Sequence, residues 1–322
     1  SDFDPRGKSD AEVMRFCQAY MTELYRHIGQ DIDCPAGDLG CGGREIGYMY
    51  GQYRRLVGAS EFGALSGKAV TTGGSIMRAE ATGFGAVYYL VEVLKHEGES
   101  IEGKRLAISG FGNVGWGVVK KTAELGGKVV AIAGPDGYIY DPDGVTTDEK
   151  INYLVTMRNS GRDKVQDYAD KFGCQFFPKE KPWGVKADII MPSATQNDVT
   201  MPWAEKIAAN QIKYYIEVAN MPTTNDALYF LMQQPGMIVA PSKAVNAGGV
   251  AVSALEMSQN SLRLSWTFEE VDNRLKGIMA DIYKNMSAAA EEYGKTPEDY
   301  VLGANVAAFI KVADAMMAQG WV

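Results

Sequence analysis

The amino-acid composition is that of an ordinary globular protein with an acidic balance. The chain has 322 residues, of which 46% are hydrophobic and 22% charged, and its formal net charge is −8. This length allows about two domains with real cores. The negative charge argues against nucleic acid or an anionic membrane as the main partner. The best apolar stretch, 86–94, is too short to span a bilayer.

Cysteine and histidine usage argues against several kinds of site. The cysteines at 17, 34, 41 and 174 show no metal-ligand spacing, so we expect free thiols, no metal and a reducing, cytoplasmic compartment. Only two histidines, His27 and His96, are present. They leave little basis for a Ser-His-Asp or zinc mechanism.

The first hundred residues predict a mostly helical region. Ser9 and Glu12 form a capping-box pattern ahead of an amphipathic run that ends at Gly29. The elements that follow are an Asp- and Gly-rich loop at 31–43, a helix at 44–57, a Gly-, Ser- and Thr-rich connection at 66–74 and a helix at 79–96.

A strand, a glycine turn, a helix and a second strand come next. Short apolar runs at 104–109 and 128–133 predict buried strands. Between them, residues 110–115 read G-x-G-x-x-G and open a segment of helical periodicity. Glycine permits the tight turn and the approach of a pyrophosphate, which a helix N-terminus binds through its N–H groups and dipole. In this context the motif predicts dinucleotide binding, the alternative being a tight βα turn without a ligand.

Further strands and helices alternate to the end of the chain. Apolar runs at 188–191, 214–218 and 237–240 predict buried parallel strands. The predicted helices lie at 202–209, 225–233, 248–258, 268–293 and 304–318. This alternation predicts an α/β fold with a doubly wound, Rossmann-like sheet.

Each loop that follows one of these later strands contains an asparagine: Asn197, Asn220 and Asn246. In a doubly wound sheet, ligands lie beyond the carboxyl ends of the strands. An asparagine amide both donates and accepts hydrogen bonds, which suits a ribose or a carboxamide. We therefore expect the three to face a ligand, although each could instead stabilise its own turn.

The glycine-rich loop at 35–45 is a second candidate site. Its one aspartate, Asp38, lies among glycines that leave room for a substrate, and a carboxylate can transfer protons. On composition alone, an aspartate that forms a turn is the better interpretation.

Four motifs, in this order and spacing, resemble the hexameric bacterial glutamate dehydrogenase family. They are Pro-Ala-Gly-Asp-Leu-Gly at 35–40, Arg-Ala-Glu-Ala-Thr-Gly-Phe-Gly at 78–85, Gly-Phe-Gly-Asn-Val-Gly at 110–115 and Asn-Ala-Gly-Gly-Val-Ala-Val-Ser at 246–253. The resemblance covers essentially the whole chain. We accordingly predict the C-terminal portion of a mostly helical substrate domain at 1–73, a dinucleotide-binding domain at 74–297 and a helix returning towards the substrate domain at 298–322.

The resemblance implies reversible oxidative deamination of L-glutamate to 2-oxoglutarate and ammonia, with hydride transfer to NAD(P) in a homo-hexamer. It implies that Asp38 transfers protons, that the Gly37 carbonyl faces the substrate amino group and that Ser253 binds a substrate carboxylate. Val250 and Arg78 are further expected substrate-binding residues. The expected coenzyme-binding residues are Thr82, Gly110, Gly112, Asn113, Val114, Gly115, Asp136, Ala194, Asn220 and Asn246.

One feature of the family is missing from the sequence. The catalytic lysine of the family lies directly upstream of the Ser-Asp-Phe-Asp-Pro that begins this chain. We therefore expect the chain to be the C-terminal part of a longer enzyme, which binds a dinucleotide but is inactive by itself. A non-catalytic dinucleotide-binding module is one alternative. A branched-chain or aromatic amino-acid dehydrogenase is another, although Ser253 argues against its apolar pocket.

The choice of coenzyme depends on the end of the second strand of the βαβ unit. An acidic residue about 20 positions past the glycines usually bonds the adenosine ribose. Asp136 is a few positions late, but it is the only nearby carboxylate, and no Arg or Lys follows at once to meet a 2′-phosphate. The sequence therefore favours NAD, with NADP as the alternative.

Overall fold

The computed structural model describes residues 3–5, 7–38, 40–294 and 296–320, so that Leu39 of the motif at 35–40 lies outside the described residues. The chain divides into two compact units. The first unit comprises Ser1–Arg78 and Val250–Arg274, and the second comprises Ala79–Gly249 and Leu275–Val322. This division differs from the predicted boundaries because residues from 250 to 274 bond to the segment from 66 to 78, as described below.

The first unit begins with two helices, α1 (Asp10–Leu24) and α2 (Gly43–Val57). The predicted capping box at the start of α1 is confirmed, since the Ser9 backbone N–H donates to a Glu12 carboxylate oxygen at 2.8 Å and the Glu12 N–H to the Ser9 hydroxyl at 3.4 Å. The two helices pack through buried side chains that include Val13, Cys17, Met21, Ile46, Tyr50 and Tyr53.

The second unit is built around a sheet with seven strands in the part of the chain that the structure describes. The strands are β1 (Arg105–Ser109), β2 (Lys128–Gly134), β3 (Gly137–Tyr140), β4 (Gln175–Pro178), β5 (Ile189–Pro192), β6 (Tyr214–Ile216) and β7 (Ile238–Ala240). Their order across the sheet is β4-β3-β2-β1-β5-β6-β7. The five strands from β2 to β7 in that order are parallel, whereas β3 and β4 are antiparallel additions at one edge.

The predicted α/β fold with a parallel sheet is confirmed, and an antiparallel edge that was not predicted adds β3 and β4 to it. The helices of this part are α3 (Ala81–His96), α4 (Asn113–Glu124), α5 (Asp148–Asn159), α6 (Gln166–Phe172), α7 (Met201–Ala209), α8 (Asn225–Met232) and α9 (Ser242–Val245). The core is formed by apolar residues of the strands, among them Ala107, Val130, Ile190, Tyr215 and Val239.

The strand order reverses between β1 and β5. From β1 the chain continues to β2 on one side, and it later returns to β5 on the other side of β1. Ser109 at the end of β1 pairs with Pro192 at the end of β5, so the two strands finish level with each other. The loops that leave them therefore start side by side, which is where ligands bind in open α/β sheets.

Three helices complete the chain: α10 (Gly248–Leu262), α11 (Phe268–Tyr293) and α12 (Tyr300–Gln319). Among the described residues, α12 alone is long and apolar enough to cross a membrane, with a mean hydropathy of 1.5. The expectation that 86–94 is the best apolar stretch was therefore wrong. One such helix is weak evidence for a membrane protein, because helices of soluble proteins meet the same criteria of length and composition.

Candidate functional site

The turn between β1 and α4 has a backbone that only glycine can form. Gly110 has a φ of +80°, which is in the left-handed region. A Cβ on Gly115 would lie 2.0 Å from the Gly110 carbonyl oxygen, so the helix can approach the strand this closely only without a side chain. These two glycines of the predicted motif therefore have roles in folding the turn.

The middle glycine of the motif, Gly112, has a different environment. Gly112 is the N-cap of α4 and makes no side-chain capping bond, and a Cβ built on it would meet nothing within 4 Å. Open space in front of an uncapped helix N-terminus suits an anion, because the first N–H groups and the helix dipole point there. Asn113 and Val114 form the first turn of α4. The Arg158 guanidinium donates to the Asn113 side chain and adds positive charge at the same place.

Two further predicted residues, Ala194 and Thr82, belong to segments that contact this turn or α4. The Ser109 hydroxyl accepts hydrogen bonds from the backbone N–H groups of Ser193 at 3.1 Å and Ala194 at 3.3 Å, which joins the loops after β1 and β5. Thr82 is half-buried in the first turn of α3. Its neighbour Gly83 packs so closely on α4 that a Cβ there would lie 2.4 Å from the Val114 carbonyl oxygen.

The structure brings two of the three predicted asparagines together. The Asn246 side-chain N–H donates to the Asn220 side-chain oxygen at 2.7 Å, so the loops after β6 and β7 meet through their amides. Asn197 has a φ of +54°, and its backbone N–H donates to the Met221 carbonyl at 3.0 Å. Its backbone thus links the loops after β5 and β6, and its side chain stays a predicted ligand contact.

Asp136 has a structural role that the sequence did not suggest. One carboxylate oxygen accepts the Val165 N–H at 2.9 Å and the other accepts the Gln166 N–H at 3.1 Å. The side chain therefore caps the N-terminus of α6. Its contact with an adenosine ribose remains a prediction.

A buried acid that was not predicted from the sequence, Glu217, lies just after β6. Its side chain accepts the Ser242 N–H at 3.2 Å, and the residue is 4% exposed. Burial raises the pKa of this carboxyl above its usual value. The available signal was one glutamate inside the otherwise apolar run 214–218.

In the first unit, Asp38 lies in an open loop. The loop requires glycine at position 37, where a Cβ would lie 2.7 Å from the Cys41 carbonyl oxygen. The Cys41 N–H donates to the Asp38 backbone carbonyl at 2.8 Å. Asp38 is exposed, and among the described residues no hydrogen bond or ion pair engages its carboxylate. Among the described residues its side chain thus forms no bond within the turn, and its role in proton transfer stays a prediction.

Arg78 and Ser253, both predicted substrate-binding residues, are bonded to each other. The Arg78 Nε donates to the Ser253 hydroxyl at 2.9 Å. Burial lowers the pKa of the Arg78 guanidinium, and the nearby Glu256 carboxylate partly offsets this effect. The pair presents a hydroxyl and further guanidinium N–H groups, which together suit a carboxylate. Val250, on the same helix as Ser253, is 69% exposed.

One group of potential metal ligands is present among the described residues. His96, Glu97 and Glu298 offer ligand atoms that lie within 4.8 Å of one another. Glu97 already pairs with the Lys213 ammonium at 3.1 Å, and Lys213 also bonds Glu99 at 2.6 Å. A cation at this group would have to compete with that ammonium.

Comparison with protein families gives two matches that together cover most of the chain. Residues 73–320 match the Glutamate/Leucine/Phenylalanine/Valine dehydrogenase family. Residues 1–55 match the dimerisation domain of Glu/Leu/Phe/Val dehydrogenases.

Individual relatives agree with these matches. An NAD-specific glutamate dehydrogenase of Clostridium symbiosum is 69% identical over 99% of this chain and 71% of its own length. An NADP-specific glutamate dehydrogenase of Haemophilus influenzae is 49% identical over 99% of this chain and 71% of its own length. A solved structure of a glutamate dehydrogenase superposes with a TM-score of 0.98 at 68% identity, covering 100% of this chain and 71% of that one.

Proposed function

The chain belongs to the Glu/Leu/Phe/Val dehydrogenase family, and on this basis we propose that it functions as a glutamate dehydrogenase. The reaction is the reversible oxidative deamination of L-glutamate to 2-oxoglutarate and ammonia. The observation that carries the proposal is the 69% identity, over 99% of the chain, to an enzyme named as an NAD-specific glutamate dehydrogenase.

The residues around the β1–α4 turn fit a dinucleotide coenzyme. The open space at Gly112 and the uncapped N-terminus of α4 would accept the pyrophosphate, with Asn113, Val114 and Ala194 beside it. The bonded amides of Asn220 and Asn246 offer a donor and an acceptor for a sugar or a carboxamide. When bound, the nicotinamide accepts the hydride from the amino-acid Cα.

Residues of the first unit supply groups for the amino acid. The Arg78 guanidinium and the Ser253 hydroxyl would bind a carboxylate through charge-assisted hydrogen bonds. The exposed Asp38 carboxylate would take protons from the amino group and from the water that releases ammonia. Gly37, whose position admits no side chain, would present its carbonyl to the same amino group.

We favour NAD as the coenzyme and keep NADP as the alternative. The 69% identical relative is named NAD-specific and the 49% identical one NADP-specific. Asp136 is the first carboxylate in the sequence after β2, and a carboxylate there would repel a 2′-phosphate. The Arg158 guanidinium, which bonds the Asn113 side chain at the turn, is a feature that favours NADP.

We also propose a homo-oligomer, a hexamer by the family resemblance, in the cytoplasm. The match of residues 1–55 to a dimerisation domain supports self-association. The four free cysteines support a reducing compartment. The net charge of −8 supports a small-molecule partner over nucleic acid or a membrane surface.

The test is a set of parallel assays on the intact protein. Reduction of NAD and of NADP is measured with glutamate, leucine, phenylalanine and valine as alternative substrates. We expect the highest kcat/KM with glutamate and NAD. A preference for leucine would replace the substrate assignment, and coenzyme binding without turnover on any amino acid would favour a non-catalytic module.

A further inference from the structure

The first unit contains an ion pair whose two side chains are both fully buried. The Lys68 ammonium bonds a carboxylate oxygen of Glu256 on α10, and both side chains have a relative exposure of 0%. Removing two charges from water is costly, and the cost is met only when further hydrogen bonds satisfy both groups. A buried pair of this kind is weak evidence for stability and raises the question of what it positions.

The carboxylate of Glu256 accepts hydrogen bonds from three consecutive residues of one segment. It accepts the Gly67 backbone N–H at 3.0 Å and the Ser66 hydroxyl at 3.4 Å, in addition to the Lys68 ammonium. The same ammonium also donates to the Leu65 carbonyl. Glu256 therefore bonds Ser66, Gly67 and Lys68 directly, and Lys68 in turn bonds Leu65.

This segment in turn holds the loop that carries Asp38. The Ser66 N–H donates to the Pro35 carbonyl at 2.9 Å, and Ser66 pairs with Ala36 in an isolated parallel bridge. A Cβ on Gly67 would lie 3.5 Å from the Gly37 nitrogen, so the two backbones are close. Asp38 is only two residues beyond the bridged Ala36.

The same helix carries the other predicted substrate group. Ser253 precedes Glu256 by three residues, about one helical turn, and accepts its hydrogen bond from Arg78. Glu256 also acts electrostatically on Arg78, because its charge partly offsets the larger effect of burial, which lowers the pKa of the Arg78 guanidinium. One carboxylate is thus connected both to the Asp38 loop and to the Arg78–Ser253 pair.

We propose that Lys68 and Glu256 are positioning residues, whose buried ion pair fixes the Asp38 loop relative to the Arg78–Ser253 pair. This inference rests on the proposed function of those three residues and extends it. Both side chains are fully buried, so neither is exposed to a bound substrate. A displacement of about 1 Å at a reacting group is enough to cost about 100-fold in rate.

The test compares single variants with the matched double variant in the intact protein. Lys68→Met and Glu256→Gln each leave one buried partner unpaired, and we expect each to lower the Tm by about 10 °C. The double variant removes the pair as a unit and should recover most of that Tm. Its kcat/KM for glutamate should nevertheless stay about 100-fold below the original, while the Kd for NADH changes less than about twofold.

A matched control comes from a similar ion pair in the second unit. Lys150 bonds Asp141 at 2.6 Å, and Asp141 is 3% exposed. We expect Lys150→Met to lower the Tm without lowering kcat/KM. An equal loss of kcat/KM in this control would overturn the inference, since the effect would then be general instability. Recovery of both Tm and kcat/KM in the double variant would overturn it as well.

Hydrogen exchange separates this inference from the proposed function. Amide exchange over residues 35–41 should be faster in the double variant than in the original protein, whether or not glutamate is the substrate. Unchanged exchange in this loop would overturn the positioning role.

If instead the original protein prefers another amino acid, the substrate assignment fails, and kcat/KM of the variants is measured with that amino acid. If the double variant does not fold, the single variants Lys68→Met and Glu256→Gln are measured instead, at a temperature at which both are folded. Original kcat/KM and original loop exchange in either folded single variant would equally overturn the inference.

Discussion

The glycine-rich loop at 110–115 and the Asp- and Gly-rich loop at 31–43 are held in place in different ways. The first is fixed by its own backbone, since Gly110 needs a positive φ and Gly115 needs to touch the Gly110 carbonyl. The second is tied to residues far away in the sequence, through Ser66 and the Lys68–Glu256 pair. The first loop should therefore respond mainly to substitutions within it, and the second also to substitutions elsewhere in its unit.

The largest effect is expected from Asp38→Asn in the second loop. Loss of the proton-transferring carboxylate should lower kcat by about 100-fold or more, while the Kd for NADH stays the same. The measurement is steady-state turnover with glutamate, together with coenzyme titration. Asp33→Asn, in the same exposed loop, is the matched control and should retain turnover. Retained turnover in Asp38→Asn would remove its catalytic role.

In the first loop, we expect one glycine to be required for coenzyme binding and another for folding. Gly112→Val fills open space, so it should leave the Tm unchanged and raise the coenzyme Kd about tenfold or more, roughly 1.4 kcal/mol. Gly115→Val puts a side chain against the Gly110 carbonyl and should instead lower the Tm. Thermal unfolding and fluorescence titration of both variants separate the two effects. The opposite result, with Gly112→Val unfolding and binding unaffected, would contradict the assignment.

A smaller effect is expected at the pair of asparagines. Asn246→Ala removes the 2.7 Å hydrogen bond to Asn220, and we expect the coenzyme Kd to rise about fivefold, in line with roughly 1 kcal/mol for one hydrogen bond. Asn152→Ala, at an exposed position on α5, is the control. Equal Kd values for the two variants would show that the amide pair does not face the coenzyme.

The smallest effect is a pH-dependent change in the stability of the fold, caused by Glu217. Its pKa in the folded protein is raised by burial above the value of about 4.5 that it has when unfolded. Its contribution to stability is therefore complete below pH 4.5 and is lost as the pH rises through the folded pKa. Glu217→Gln keeps the acceptor for the Ser242 N–H and should raise the Tm by about 2 °C at neutral pH. The gain should shrink as the pH falls to 4.5, and a gain independent of pH would contradict this account.

The same contrast between loops explains how much could be predicted from the sequence. The turn at 110–115 and the parallel strands around it follow from local glycine spacing and short apolar runs. Asn220 and Asn246 could be predicted as a set, because the fold places successive loops at one edge of the sheet. The Lys68–Glu256 pair has a sequence separation of 188 residues, and no local pattern connects its members.

The elements that were missed have weak local patterns. The edge strand β4 is short and only partly buried, and the sequence between 145 and 187 has neither a long apolar run nor a clear motif. Asp136 was predicted to face a ribose, but its use as a cap for α6 depends on the position of Val165 and Gln166, which only the folded chain reveals. Residues 250–274 were predicted to lie in the dinucleotide-binding domain, yet they bond to the segment at 66–78 and group with the first unit.

The most direct test of coenzyme binding at the β1–α4 turn is a structure determined from crystals of the protein soaked with NAD. We expect density for the pyrophosphate at Gly112, within hydrogen-bonding distance of the first N–H groups of α4. Coenzyme density at another place, with none at residues 110–115, would contradict it.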